Sequence, residues 1–239
     1  MIIKYKPQGQ TLGQLTREVQ EEAKNKICYI GRLDPLASGL VCFLVGDECI
    51  SSRSRLHSDK TYCFNLILGI STDTGDALGL IKKMSAIDLG AVDFHAIIKK
   101  YNNHSYEQEY PMYSSYEIRA GGLKKPLWYF AKNGIPIDKI PTHSITIHQL
   151  EPTGEPAIIT SASYFIQQVS QVIEEKSRLR KDEVIAQYHA LGLISLVSIP
   201  LIAKVSGGTY IRRLCEDIGA EYGIPAMADS IERVAYHFQ

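Results

Sequence analysis

The sequence predicts an α+β fold built on a mixed sheet. Strand-like and helix-like stretches alternate irregularly, which disfavours the regular β-α-β repeat of a doubly wound parallel sheet. The chain has 239 residues, 45% of them apolar and 22% charged, the profile of a globular protein that buries a core without staples. No clear linker, internal repeat or low-complexity tract interrupts it, so a single domain over residues 1–239 is expected.

Ile2 to Tyr5 reads as a short strand closed by the turn Lys6-Pro7-Gln8-Gly9. Thr11 is positioned to cap a helix over residues 12–26, with Leu12, Leu15 and Val19 on one face and Glu18, Glu21 and Glu22 towards solvent. After a glycine-flanked loop, Leu40-Val41-Cys42-Phe43-Leu44-Val45 has the length and composition of a buried strand. Residues 47–59 are polar and are expected to form a helix plus loop. Residues 60–69 are aromatic and aliphatic, hence a strand, and break at the turn-forming cluster Ser71-Thr72-Asp73-Thr74-Gly75-Asp76. Helical spacing of Leu89, Val92, Phe94, Ile97 and Ile98 predicts a helix over 87–103. Residues from about 104 to 141 shift in composition towards aromatics and turn formers without a clean period, and are expected to form a mobile surface insertion. Residues 145–150 read as a strand and 157–189 as containing one long helix. Two short strands are expected in 193–205. Ser206-Gly207-Gly208-Thr209 then turns tightly into a final helix from about Tyr210.

The composition also excludes classes of function. Formal net charge is zero, so any grip on nucleic acid must come from a local basic patch rather than bulk electrostatics. The five cysteines are widely spaced with no CxxC, which argues against a zinc site or a disulfide framework and for a reducing compartment. The N-terminus has neither an apolar signal region nor an Arg-rich presequence. The most apolar stretch, residues 191–205, is broken by Ser195, Ser198 and Pro200 and is too short to span a bilayer. A cytoplasmic protein without membrane partners is therefore expected. His143 and His148 lie five apart in a strand-like segment and point to opposite faces, so they make no metal pair. Asp73 and Asp76, in a Thr/Gly turn, read as turn formers. No metal is expected.

One carboxylate stands apart. Asp34 lies between Gly31 and Gly39, and Pro35 biases it towards an extended conformation. A lone acid is thus held on a stiff loop against the buried run that follows, a way to display a reactive group. Arg212 falls in the first turn of the last helix, where a cation opposes the helix dipole; that awkward position favours a specific partner. Tyr62, in an apolar strand, would unaided be an ordinary core or edge tyrosine.

Four separated pieces then fall into register: Lys6-Pro7-Gln8-Gly9-Gln10-Thr11; Gly31-Arg32-Leu33-Asp34-Pro35-Leu36-Ala37-Ser38-Gly39; Lys60-Thr61-Tyr62 with Gly69, Thr72-Asp73-Thr74-Gly75-Asp76 and Gly79; and Ser206-Gly207-Gly208-Thr209-Tyr210-Ile211-Arg212. In order and spacing they resemble the TruB family of pseudouridine synthases, from residue 2 to about residue 234. The resemblance implies the pseudouridine synthase fold, a mixed and mostly antiparallel sheet flanked by helices with an insertion lobe. It implies isomerisation of a T-loop uridine in transfer RNA (position 55 type), with no cofactor and no metal. It assigns nucleophilic Asp34, Tyr62 against the target base and Arg212 paired with Asp34, with Tyr210 lining the uridine pocket. Lys6, Pro7, Tyr29, Gly31, Arg32 and Ile231 are the further substrate-binding candidates, and residues 104–141 would clamp the RNA T-arm. The chemistry agrees: breaking N1–C1′ builds positive charge on the ribose, which a carboxylate can stabilise or trap, and a neighbouring guanidinium favours the ionised carboxylate. Candidate RNA contacts are Arg17, Lys24, Lys26, Arg32, Arg53, Arg55, Lys124, Lys125 and Lys132.

The chain departs from the family pattern at several points. Tyr29 stands where the family has His, and Arg32 stands before Leu33-Asp34. Residues 108–116 lack the lysine of the corresponding family segment, Ile231 stands where Leu is usual, and Glu232 replaces a basic residue. The C-terminal PUA domain of many members is not expected, and a monomer is. Two other readings remain: a synthase acting on a different RNA site, and an RNA-binding or folding-assistance protein with little or no catalysis.

Overall fold

In the computed structural model, residues 1–51, 58–87, 93–172 and 179–238 are described. The strands are β1 (Ile2–Lys6), β2 (Ile27–Ile30), β3 (Ser38–Val45), β4 (Asp59–Leu68), β5 (Ile70–Thr72), β6 (Ile81–Met84), β7 (His104–Glu109), β8 (Glu117–Ala120), β9 (Leu123–Pro126), β10 (Thr142–Pro152), β11 (Ala157–Ser161), β12 (Leu193–Val205) and β13 (Ala226–His237). The helices are α1 (Leu12–Ala23), α2 (Phe94–Tyr101), α3 (Leu127–Lys132), α4 (Ser163–Gln171), α5 (Lys181–Leu191) and α6 (Ile211–Glu221).

Among the described residues, nine strands form one sheet in the order β1-β3-β13-β4-β12-β10-β7, with β2 also on β3 and β11 also on β12. Every pairing is antiparallel except the short β3–β13 contact. The sheet is therefore mixed and mostly antiparallel, as expected.

Strand periodicity decides what faces the site. Along β4 burial alternates, so Lys60, Tyr62, Phe64 and Leu66 share one covered face. That face packs against α1 through Leu12, Leu15 and Val19, and against α6 through Ile211, Leu214, Cys215 and Ile218. A second apolar cluster joins Ile67, Leu196 and Met227 to Phe165 and Val169 of α4 and to Val184 and Tyr188 of α5. Thr11 caps α1 as expected, in a capping box with Gln14.

Several expectations need correction. The single helix within 157–189 is instead β11, α4 and α5. Ala157-Ile158-Ile159-Thr160-Ser161 is β-branched enough to join β12 as an edge strand; residues 173–178 lie outside the described set. The two short strands in 193–205 are one continuous β12. Pro200 survives mid-strand because its carbonyl accepts from Thr153 N at the seam where β11 hands over to β10, so its missing N–H faces that gap and not β4. The helix after Tyr210 is followed by β13, which inserts between β3 and β4. Residues 104–109 belong to the main sheet as β7; the β8–β9 hairpin and α3 follow. Residues 47–59 begin as a 3₁₀ turn, Gly46–Ser51, and 52–57 lie outside the described residues, as do Arg53 and Arg55. The helix expected over 87–103 is α2, and residues 88–92 are likewise outside.

Candidate active site

Between β2 and β3 the chain turns through Gly31 to Ala37 and presents Asp34. Two fully buried cations hold this loop from beneath. The Lys6 ammonium donates to the carbonyls of Pro7 (3.1 Å), Pro35 (3.3 Å) and Ala37 (2.5 Å). The Arg233 guanidinium donates to Leu40 (2.7 Å), Gly31 (3.2 Å) and Arg32 (3.4 Å). Burial pulls the Lys6 pKa down to about 8, with Asp34 opposing and Arg233 adding to the fall. Lys60, whose ammonium reaches the Ser58 carbonyl at 2.5 Å, is lowered to about 8 as well, by burial and then by Arg233.

Gly39 closes the loop. Its φ is +108°, and a Cβ there would meet the Arg233 carbonyl oxygen at 2.3 Å and amide nitrogen at 2.5 Å. This close approach is the parallel bridge between β3 and β13.

Arg212 comes from the first turn of α6. It is buried because Ile211, Arg212, Cys215 and Gly219 follow the inward stripe of the helix. Its Nε donates to Asp34 Oδ2 at 2.9 Å, one terminal nitrogen to the Tyr113 carbonyl at 3.3 Å, and the other to the Thr74 carbonyl. Arg212 is 4% exposed and Asp34 34%, so the pair has a dry cation behind a carboxylate that faces open space. Asp76 Oδ2 stands 3.8 Å from the same Nε. Burial pushes the Asp76 carboxyl up, against the pull of Arg212, while Asp34 adds to the rise. Burial disfavours the Arg212 cation, but Asp34, Asp76 and Glu216 outweigh it and raise its pKa.

These groups line one cavity of about 960 Å³. Asp34, Tyr62, Arg212, Gly31, Arg32, Tyr210 and Ile231 all line it. Gln108, fully buried, holds Tyr210 by accepting from its amide (2.9 Å) and donating to its carbonyl (3.3 Å). Tyr29, Lys6 and Pro7 are outside the lining. Tyr29 sits on β2 opposite Phe43, half-buried against the apolar core. Lys6 acts from under the loop, and Pro7 is exposed. Of the basic candidates, Arg32 and Lys132 line the cavity, while Lys124 pairs with Glu117 at 3.0 Å on the β8–β9 hairpin.

Sequence reasoning missed Lys60, Arg233, Tyr113 and His143 as members of the site. Lys60 was recoverable, being two residues before Tyr62 on the same face of a strand. Arg233 lies on a strand that was itself missed. Asp73 and Asp76 are turn residues, as expected: Asp73 accepts from Leu80 N, and Asp76 from Leu78 N and the Thr74 hydroxyl. No cluster able to hold a metal occurs among the described residues.

Comparison with known proteins gives one consistent picture. The family model for TruB family pseudouridylate synthase (N terminal domain) matches residues 17–159. The chain is 30% identical over 238 residues to a tRNA pseudouridine synthase B of Azoarcus sp. (strain BH72), covering 98% of this chain and 64% of that protein. It is 27% identical over 238 residues to the protein of that name from Bacillus licheniformis, with the same coverage of 98% and 64%. The chain thus spans just under two thirds of the length of these relatives. Among solved structures it is similar to a Cbf5-Nop10-Gar1 complex, with TM-score 0.54 and 14% identity over 97% of this chain and 47% of that one. At that identity the likeness speaks for the fold alone. No helix among the described residues is long and apolar enough to cross a membrane.

Proposed function

The chain belongs to the TruB family of pseudouridylate synthases, and from that premise we propose that it isomerises a uridine of transfer RNA to pseudouridine, at a T-loop position of the 55 type. The observation that carries this is the Asp34–Arg212 pair at 2.9 Å inside a cavity that also holds Tyr62 and Tyr210.

The reaction needs N1–C1′ to break, the base to turn, C5 to join C1′, and the C5 proton to leave while N1 gains one; nothing is oxidised or reduced. Arg212 occupies Asp34 Oδ2, which leaves Oδ1 to meet the ribose at C1′, as a nucleophile or as the counter-charge to an oxocarbenium ion. With its guanidinium held by two carbonyls, Arg212 keeps that carboxylate charged and aimed without reorganising. Tyr62 packs against the base from the floor of the cavity, with its hydroxyl available to position or accept the proton lost from C5. Ile231 and Tyr210 bound the pocket, and a cavity of this size accommodates an extruded nucleotide.

The same reading gives residues 104–141 the role of a clamp on the T-arm, acting mainly through the part beyond β7. Exposed cations on the β8–β9 hairpin and Lys132 at the cavity would meet phosphates there. A monomer working in the cytoplasm is the simplest form of this proposal.

The test is incubation with an unmodified transfer RNA transcript followed by pseudouridine mapping. Pseudouridine in the T-loop, absent with Asp34→Asn, is the expected result. Modification elsewhere in the RNA would move the target, and none at all with either protein would overturn the reaction.

A further inference from the structure

The wall of the Asp34 cavity carries, at Tyr110 and His143, an aromatic stack that the reaction itself does not use. Tyr110 lies between Tyr116 and His143, with ring centroids 3.8 and 4.2 Å away and planes within 15° and 25°. Most aromatic pairs in proteins meet edge-on or at larger separations of about 4.5–7 Å. Three rings face to face is instead the arrangement of stacked bases. Tyr210 stands edge-on to both Tyr110 (5.8 Å) and His143 (6.0 Å) and so joins the stack to the pocket wall, two residues before Arg212.

One end of the stack is open. Tyr116 is 40% exposed, as is Trp128 on the neighbouring wall of the cavity. The backbone secures this end: Leu127 N donates to the Tyr116 carbonyl (2.8 Å), and Trp128 N to that of Ser114 (3.1 Å). At the other end, His143 Nε2 faces the Gly208 carbonyl at 3.1 Å. A carbonyl only accepts, so Nε2 carries the proton and Nδ1 is left with a lone pair. That Nδ1 is buried and has no hydrogen-bond partner among the described residues. His143 thus forms the closed end of the stack, and the face offered to a ligand is that of Tyr116 at the open end.

We propose that the Tyr110–Tyr116–His143 stack is a second nucleobase subsite, on which the base next to the reacting uridine stacks while the uridine occupies the Asp34 cavity. The proposal rests on the RNA reading above. Stacking is sequence-tolerant because every base has a π face, so the subsite holds the loop open and sets the register of the strand more than it selects a base.

The test uses a stem-loop RNA with a single loop uridine and 2-aminopurine as its 5′ or its 3′ neighbour. With wild-type protein, fluorescence should be quenched at one of the two positions. Tyr116→Phe should keep the quench. Tyr116→Ala should lose it and weaken binding roughly tenfold, the scale of one base–aromatic stack. On RNA abasic at that neighbour, wild type and variants should bind alike. No quench at saturating wild-type protein, a quench that survives Tyr116→Ala, or an equal loss of affinity on abasic RNA would overturn the subsite. Pseudouridine is mapped on the same RNA. Product without quenching counts against the stack alone, whereas quenching without product counts against the assigned reaction and supports the stack.

Discussion

Arg212 and Asp34, 178 residues apart in the chain, meet at 2.9 Å with the guanidinium buried and the carboxylate half open. The geometry separates their tasks. Asp34→Asn keeps the shape and the hydrogen bond but loses the charge. It should remove product formation by on the order of 10³-fold or more, the scale felt when a covalent participant is lost. Thermal stability should be close to wild type. Single-turnover pseudouridine formation is the measurement, and activity within tenfold of wild type would count against the nucleophile.

Arg212→Lys keeps the charge but not the fork. A lysine ammonium cannot serve Asp34, Thr74 and Tyr113 together in the plane that the guanidinium spans. The expected loss is about 10²-fold in kcat, comparable to removal of one oriented electrostatic partner. RNA affinity should change little, because Arg212 is too buried to touch a phosphate. A defect confined to Kd would contradict this.

Tyr62→Phe tests the hydroxyl alone. The ring stays on the covered face of β4 with its packing intact, so stability and RNA binding should hold. If the hydroxyl handles or positions a proton, kcat should drop by roughly 10²-fold or more. If the ring only stacks on the base, Tyr62→Phe should work normally and Tyr62→Ala should not. Comparing the two variants on one RNA decides between these roles.

Asp34, Tyr62 and Arg212, the three residues proposed for catalysis, stood out in the sequence because four separated motif pieces fall into register, not because any one local pattern singles them out. The sheet centre was legible locally, since uninterrupted apolar runs such as Leu40 to Val45 have few alternatives. What escaped depends on distant partners. β13 is a poor strand by composition, with Asp229, Ser230, Glu232 and Arg233 in its middle. It is stabilised by β4 on one side and by the Gly39 approach on the other, neither visible locally. The sequence marks Lys6 as a substrate-binding candidate and does not single out Arg233, yet both direct their donors at backbone carbonyls of the Asp34 loop. Within 157–189, where one long helix was expected, residues 157–161 became a strand because tertiary pairing with β12 overrode an ambiguous local pattern.

Gly39→Ala addresses that hidden support. The added methyl would collide with backbone atoms of Arg233 that cannot swing away, at a φ that an alanine adopts only with strain. Destabilisation of about 2 kcal/mol or more is expected, with the Asp34 loop displaced. Denaturation should show a lower midpoint, and activity should fall even at temperatures where the protein remains folded. An active variant of wild-type stability would mean that the β3–β13 bridge is not needed.

The buried lysines give the fold a pH signature. Lys6 and Lys60 ionise near pH 8 in the folded protein against an ordinary 10.5. Between those values the unfolded chain binds more protons than the native one, so native stability rises with pH across that window, by up to ~1.4 kcal/mol per pH unit for each lysine. Below pH 8 both lysines are charged in either state, and this contribution is flat at its lowest. Above about pH 10 the trend reverses, because unfolded tyrosines ionise while burial holds Tyr101 and Tyr106 protonated in the native state. Urea denaturation at pH 7, 8, 9 and 10 should therefore show stability climbing to a maximum near pH 9–10. Lys6→Met should roughly halve the slope while detaching the carbonyls of Pro35 and Ala37 from their donor, with an accompanying fall in kcat as Asp34 loses its support. A wild-type profile that declines steadily from pH 8 would show that the ammonium groups are not desolvated as the fold requires.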